Sequence, residues 1–262
     1  MEDPMTSSTP HHETAATSAA ARPSVLLVHG AFADSSSWQE VTERLTGEGY
    51  RVTAAELGLR GLSSDAAQVR ALLDEQDGAT VVVGHSYGGA VMGQAATGHP
   101  KAAALVYVAA FAPAHGESLG ELDASFGDGE STLTITDAHP LPADPDVPDE
   151  YNVELTIKQD VFHQRFGADL AEERAAAMNG AQRPTAAAVF GEPAAAPAWE
   201  TLPSWYVVAD ADLMIPVAGQ RRMAGRMGAT VVEVPGASHA VAVSHPDEVT
   251  RAIVTAAHTV TV

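Results

Sequence analysis

The chain of 262 residues has no cysteine. That excludes disulfides, thiolate metal sites and a cysteine nucleophile, and it leaves the redox compartment open. Basic residues are scarce as well. Lys and Arg number 14 against 34 Asp and Glu, for a formal net charge of −20. Nucleic acid and anionic membranes both select basic surface, so neither is expected as a partner. Long apolar runs are missing too: the longest, Ala102 to Ala114, is too short to span a bilayer. Residues 1–22 mix Ser, Thr, Ala, Pro and acids without periodicity, and they lack the basic and apolar regions of a signal peptide. A disordered tail is expected there, on a cytoplasmic protein. Its His11-His12-Glu13 has no neighbours to fix a ligand geometry, so no metal site is expected.

What remains is a chain with 45% apolar residues, enough for one sizeable α/β domain. Strand-like and helix-like patterns alternate from Ser24 onward. Val25-Leu26-Leu27-Val28 is a buried-strand run ending at His29-Gly30. Ser37 is placed to cap a helix with Trp38, Val41 and Leu45 on one face. A strand over 50–54 follows, then a helix carrying Val69, Leu72 and Leu73, a strand over 80–84, a small-residue helix to Gly98 and a strand over 103–108. Continuous apolar strands in this rhythm predict a mostly parallel sheet with helices on both faces. The rhythm breaks at Pro113. From 113 to 202 Gly, Pro and acids are dense, with helical pieces around 159–166 and 168–178. This is expected to be a cap inserted over the sheet's carboxyl edge. Strands at 205–208 and 230–234, a helix over 217–227 and a last helix after Pro246 restore the rhythm. The core is thus expected to comprise 23–112 and 203–262.

The most informative stretch is Val81-Val82-Val83-Gly84-His85-Ser86-Tyr87-Gly88-Gly89. A β-branched run enters Gly-x-Ser-x-Gly, and small residues follow. A serine hydroxyl is a poor nucleophile and must stand exposed where a base can reach it. A sharp strand-to-helix turn does this, but it crowds the strand against the helix, and Gly84 and Gly88 leave room for the approach. The same turn aims the Tyr87 amide at a reacting carbonyl. A second oxyanion donor is expected from the loop after the first strand, at the Ala31 amide.

Ser86 needs a base, and the base needs an orienting acid. Both are expected on loops after later strands. The loop after 205–208 holds Asp210 and Asp212, and the loop after 230–234 holds His239. Of eleven histidines, only His239 lies just beyond a late strand in a Gly/Ser loop. His245 belongs to the start of the last helix, His85 to the underside of the turn, His29 to a loop brace and His163 to the cap. The order Ser…Asp…His is that of an α/β-hydrolase.

The chain resembles the α/β-hydrolase superfamily in four segments: Val-His-Gly-Ala-Phe32, Gly-His-Ser-Tyr-Gly-Gly89, Asp212-Leu-Met-Ile-Pro216 and Gly-Ala-Ser-His239-Ala-Val. Within it the likeness is to the branch of plant methylesterases, hydroxynitrile lyases and small bacterial esterases. It runs from about Pro23 to His258. The resemblance implies that Asp212, four residues before Pro216, is the acid rather than Asp210. It also implies a short, six-stranded form of the sheet with a helical cap. It further implies a serine esterase acting through an acyl-enzyme, chemistry that requires no metal and no cofactor. The expected substrate is a small, fairly apolar ester, and the chain is expected to be a monomer or homodimer. The expected substrate walls are Phe32, Phe111, Phe162, Phe166 and Trp199. Perhydrolases of the haloperoxidase type share the triad. Hydroxynitrile lyases place a lysine directly after the histidine, where this chain has Ala240. A small-molecule receptor built on an intact triad is the non-enzymatic alternative.

Overall fold

The computed structural model describes residues 22–127, 132–142 and 152–261. Residues 1–21 of the expected tail therefore lie outside the described residues. Arg22 is described, and its guanidinium lies 4.9 Å from the centre of the Tyr50 ring. The first part of the chain alternates β1 (Ser24–Val28), α1 (Gln39–Gly47), β2 (Val52–Ala54), α2 (Leu62–Glu75), β3 (Thr80–His85), α3 (Tyr87–Ala95) and β4 (Ala102–Val108). Then come α4 (Leu119–Ser125), β5 (Thr136–Pro140), β6 (Val153–Ile157), α5 (Phe162–Phe166), α6 (Glu172–Gly180), β7 (Thr185–Ala186) and α7 (Ala188–Gly191). The chain closes with β8 (Ser204–Ala209), α8 (Val217–Met227), β9 (Thr230–Val234), α9 (Val241–Ser244) and α10 (Pro246–His258).

Six strands form one sheet in the order β2-β1-β3-β4-β8-β9, every neighbouring pair parallel. Side chains alternate across a strand, and here the alternation sorts the core in two. Val25, Leu27, Val81 and Val83 pack with Trp38, Val41 and Leu45 of the α1 region and with Val249 and Ile253 of α10. Leu26, Val28, Val82 and Leu105 face the other way, toward Leu62 and Val69 of α2, Val91 of α3 and Met223 of α8. Both faces are covered, which is why the central strands read as unbroken apolar runs.

The topology locates the site. From β1 the chain moves outward to β2, then crosses back to β3 on the other side of β1. The loops after β1 and β3 thus diverge from one switch point at the carboxyl edge, where open α/β sheets hold ligands. The long excursion between β4 and β8 also leaves from that edge, although the two strands are neighbours.

Local differences from the sequence reading have plain causes. The helix start after β1 is capped by Asp34, which accepts the Ser36 amide at 2.9 Å, and a 3-10 turn over Ser35–Trp38 precedes α1. The cap is not only helical. Its β5, β6 and β7 form an antiparallel three-stranded sheet. Four of the five residues of β5, Thr-Asp-Ala-His-Pro, are exposed, and β7 has two residues, so neither leaves an apolar alternation to read.

The close approach at the turn can be tested on two glycines. A Cβ on Gly88 would lie 2.4 Å from the Val28 carbonyl oxygen, whereas one on Gly225 in α8 meets nothing within 4 Å. Gly88→Ala is expected to lower the unfolding free energy in urea by about 3 kcal/mol or more. Gly225→Ala is expected to raise it by about 0.5–1 kcal/mol. Similar effects for the two would show that the crowding at Gly88 is relieved elsewhere.

Candidate active site

β3 ends at His85, and the next residue takes φ 52° and ψ −124°. Ser86 is thus a non-glycine residue in a strained conformation, the kind that persists only where the surroundings over-determine it. They do so here. Its amide donates to the Val108 carbonyl at 3.2 Å, and its carbonyl accepts the Gly89 and Phe111 amides at 3.1 and 3.0 Å. Ser86 is 7% exposed, at the mouth of a small chamber.

His239 lies in the loop after β9 and lines the same chamber. Its Nδ1 stands 2.8 Å from Oδ2 of Asp212. A proton on Nδ1 leaves Nε2 without one, as a base requires. Asp212 is buried and fully engaged. Its Oδ1 accepts the Met214 and Ile215 amides at 2.7 and 3.0 Å, and its Oδ2 also accepts the Gln220 side-chain amide at 2.9 Å. Four donors saturate a carboxylate and fix its plane. Asp210 is placed differently: it is exposed, and it accepts the Gly236 amide at 2.6 Å.

Tyr87 opens α3, where first-turn amides lack an intrahelical acceptor. The Ala31 amide likewise has no hydrogen-bond partner among the described residues. The Tyr87 ring is anchored from behind, its hydroxyl donating to Asp65 Oδ2 at 2.8 Å. Burial, then the Asp65 carboxylate, raises the Tyr87 phenol well above its ordinary value. Burial also raises Asp65, against hydrogen bonds from Tyr87 and from the Leu59, Arg60 and Gly58 amides.

Two further histidines brace the site. His29 accepts the Leu57 amide at Nε2, 3.0 Å, and donates from Nδ1 to the Gly30 carbonyl at 2.8 Å. Burial lowers its pKa. His85 donates from Nε2 to the His239 carbonyl at 2.8 Å, its ring centre 4.7 Å from that of His239. Burial, with His239 adding a smaller effect, pushes His85 down to about 3.

The cap grips the His239 loop on both sides. The Ala240 amide donates to the Phe166 carbonyl at 2.9 Å. The Ser238 amide donates to Asp169 at 3.1 Å, and the Ser238 hydroxyl donates to the other oxygen of the same carboxylate. The Phe166 ring stands edge-on to His239, with centres 5.0 Å apart.

A family model described as the alpha/beta hydrolase family matches residues 25–252. The chain belongs to that family. This alpha/beta hydrolase is 28% identical over 266 residues to the alpha/beta hydrolase nvfD of Aspergillus novofumigatus (strain IBT 16806), covering 90% of this chain and 97% of the relative. Among solved structures it is similar to polyneuridine aldehyde esterase, with 18% identity, 90% and 99% of the two chains covered and a TM-score of 0.77. The methylesterase MES16 from Arabidopsis gives 16% identity, 91% and 100% coverage and a TM-score of 0.74. A pyrethroid hydrolase from Sphingobium faniae JZ-2 gives 24% identity, 90% and 97% coverage and a TM-score of 0.70. At these identities the three structures speak for the fold.

The chamber of this hydrolase brings together Ala31, Phe32, Ser86, Tyr87, Phe111, Phe166 and His239 from the sequence reading. Phe162 lies one step away, stacked on Phe166 at 5.0 Å. Trp199 is a correction. It lines neither the chamber nor the neighbouring cavity; its indole donates to the Pro113 carbonyl at 3.2 Å, under the Arg226 guanidinium. The 3-10 turn over Ala198–Glu200 carries it to the foot of the cap. Four chamber residues escaped the sequence reading: Thr132, Phe190, Met214 and Ile215. The last two stand inside Asp-x-x-Ile-Pro and were accessible from that motif. Thr132 and Phe190 carry no local signal. Gln220, eight residues beyond Asp212 on α8, carried none either.

The buried imidazole of His85 has a consequence for stability. Folded, it stays neutral down to about pH 3, whereas an unfolded histidine takes a proton at about pH 6.5. The unfolded chain therefore binds more protons between these values. Stability is full above the upper value and falls as the pH drops toward the lower one. Urea midpoints measured from about pH 7 to pH 4.5 are expected to fall less steeply in His85→Gln than in the wild type. Parallel slopes would mean that His85 is not held neutral by the fold.

Proposed function

We propose that this alpha/beta hydrolase cleaves carboxylic esters of small, fairly apolar substrates through an acyl-enzyme on Ser86. One observation carries the reading: the 2.8 Å contact of His239 with Asp212, in a chamber that His239 shares with the strained Ser86. As the Ser86 oxygen attacks the ester carbonyl, its proton passes to Nε2 of His239. Asp212 holds the ring and stabilises the imidazolium. The Ala31 and Tyr87 amides receive the oxyanion. Collapse expels the alcohol, which takes the proton from His239. Water then attacks the acyl-enzyme by the same route and releases the acid and free Ser86. None of these steps needs a metal or a cofactor. Two of the solved structures that share the fold are named esterases, which supports the reaction class.

Elimination of cyanide from a cyanohydrin fits less well. A departing anion needs a cation beside the base, and the chamber lining has neither Lys nor Arg. Ala240 is buried, with its amide committed to Phe166. Hydrolysis asks for no such cation.

Ser86→Ala is expected to fold normally and to lose about 10⁴–10⁶ in kcat on p-nitrophenyl esters, since triad members act as a unit. A variant keeping a tenth of the wild-type rate would remove Ser86 from the nucleophile role.

The pH profile tests the base. Imidazole acts as a base only when neutral, so kcat/KM is expected to rise with pH in a single limb. His85, pushed down to about 3 by burial, adds no second limb. A profile flat from about pH 5 to 9 would contradict a histidine base.

A further inference from the structure

The chamber at Ser86 has a free volume of about 10 Å³. That is the space of about one water molecule. Beside it lies a cavity of about 210 Å³ between the Phe32–Gln39 loop and the cap helices. Phe32 and Phe166 line both spaces, so these two side chains are walls that the spaces share. Arg174, Ala177 and Met178 line the cavity at helical spacing along α6, with Ala181 just past the helix end, and two of the four are alanines. Phe162 and Phe166 form the opposite wall.

The two ring walls differ in origin. Phe32 sits at φ 63° and is held by its backbone: its amide donates to the Thr185 hydroxyl at 3.0 Å, and its carbonyl accepts the Arg183 amide at 3.1 Å. Phe166 belongs to the five-residue helix α5. The rim carries one carboxylate, Asp34, and one guanidinium, Arg174, so it favours neither sign of charge. An apolar cavity of about 150 Å³ holds a benzene ring. The larger space here suits a phenylalkyl or branched alkyl group.

We propose that this cavity binds an uncharged apolar arm of the substrate, threaded between Phe32 and Phe166, while the ester carbonyl reaches Ser86 as the Phe166 ring moves aside to enlarge the chamber. The proposal rests on the esterase reading and narrows it. The preferred substrates are esters that are small on one side of the carbonyl and carry a bulky apolar group on the other.

The test compares ethyl acetate, small on both sides, with 4-phenylbutyl acetate and ethyl 4-phenylbutanoate, following acid release in a pH-stat. Wild type is expected to favour one of the armed esters in kcat/KM by about tenfold or more. Ala177→Trp and Ala181→Trp fill the cavity from exposed positions. They are expected to abolish that preference and to leave ethyl acetate within about twofold, since the chamber is untouched. Retention of the preference in both variants, or a parallel fall for ethyl acetate, would overturn the proposal. A second measurement does not depend on the nucleophile: 4-phenylbutan-1-ol is titrated into Ser86→Ala protein by calorimetry. Binding that weakens about tenfold or more when Ala181→Trp is added supports the cavity even if no ester is turned over. In that case the serine reading alone has failed. Absence of binding, or binding indifferent to Ala181→Trp, overturns the cavity proposal.

Discussion

Backbone crowding at the carboxyl edge of β3 is the constraint on which the rest of the molecule depends. A Cβ on Gly84 would lie 2.5 Å from the Gly88 carbonyl oxygen, one on Gly88 2.4 Å from that of Val28, and one on Gly30 2.8 Å from the Ser86 Cβ. Three chain segments therefore meet with no side chain between them. Two are the loops that diverge at the switch point of the sheet, and the third is the first turn of α3. The strain at Ser86 follows from this packing. A strand that turned more gently would leave room for side chains, but it would lay the hydroxyl along the sheet instead of lifting it off the edge. The Ala31 and Tyr87 amides also belong to the crowded segments, so one packing event sets the position of the serine and of both amides.

Polar groups around this point are buried and almost all paired, which is how such a site avoids the cost of unsatisfied atoms. Asp212 takes four donors, His29 bonds at both nitrogens, and His85 gives its Nε2 proton to the backbone of His239. A charged His85 would be buried beside His239, so its neutrality is a condition of the packing. The resulting frame is stiff. Its rigidity resides in hydrogen bonds between loops that are far apart in the sequence.

The parts legible in the sequence were those that leave a local signature. The apolar strands, the small-residue turn and the late Gly/Ser loop with His239 are contiguous patterns, and each maps onto one element. Separating Asp212 from Asp210 needed more than periodicity, because both lie in one turn. The resemblance to a family motif selected Asp212, and the geometry now pairs Asp212 with His239, while Asp210 ties down Gly236. The cap resisted reading for a physical reason. Its strands are short and mostly exposed, so burial does not impose a period on them. Phe190, Thr132 and Asp169 reach the site only through tertiary packing, and Trp199 shows the converse, an aromatic in the cap whose helical turn carries it away. Gln220 illustrates the same limit in the core: a buried amide between a carboxylate and two carbonyls looks like any surface glutamine in one dimension.

The division of labour between core and cap has a mechanical consequence. Ser86, Tyr87 and Asp212 stand on segments anchored to the sheet or its helices. His239 shares the Asp212 anchor, but the residues on either side of it are held by the cap: Ala240 by the Phe166 carbonyl and Ser238 by Asp169. Phe166 also lines both the chamber and the neighbouring cavity. A substrate that displaces this ring therefore presses on the segment that holds the histidine loop. On the proposed reading the base is tied to the cap directly, and the Ala31 amide is tied to it through the next residue, Phe32, whose amide donates to Thr185 and whose carbonyl accepts the Arg183 amide. A snugly fitting apolar group would keep Phe166 and Asp169 seated and the imidazole aligned, whereas a poor fit would loosen both together. On the proposed ester-hydrolase reading, selectivity is then a matter of rate as much as of binding, because the arm of the substrate and the histidine loop press on the same ring.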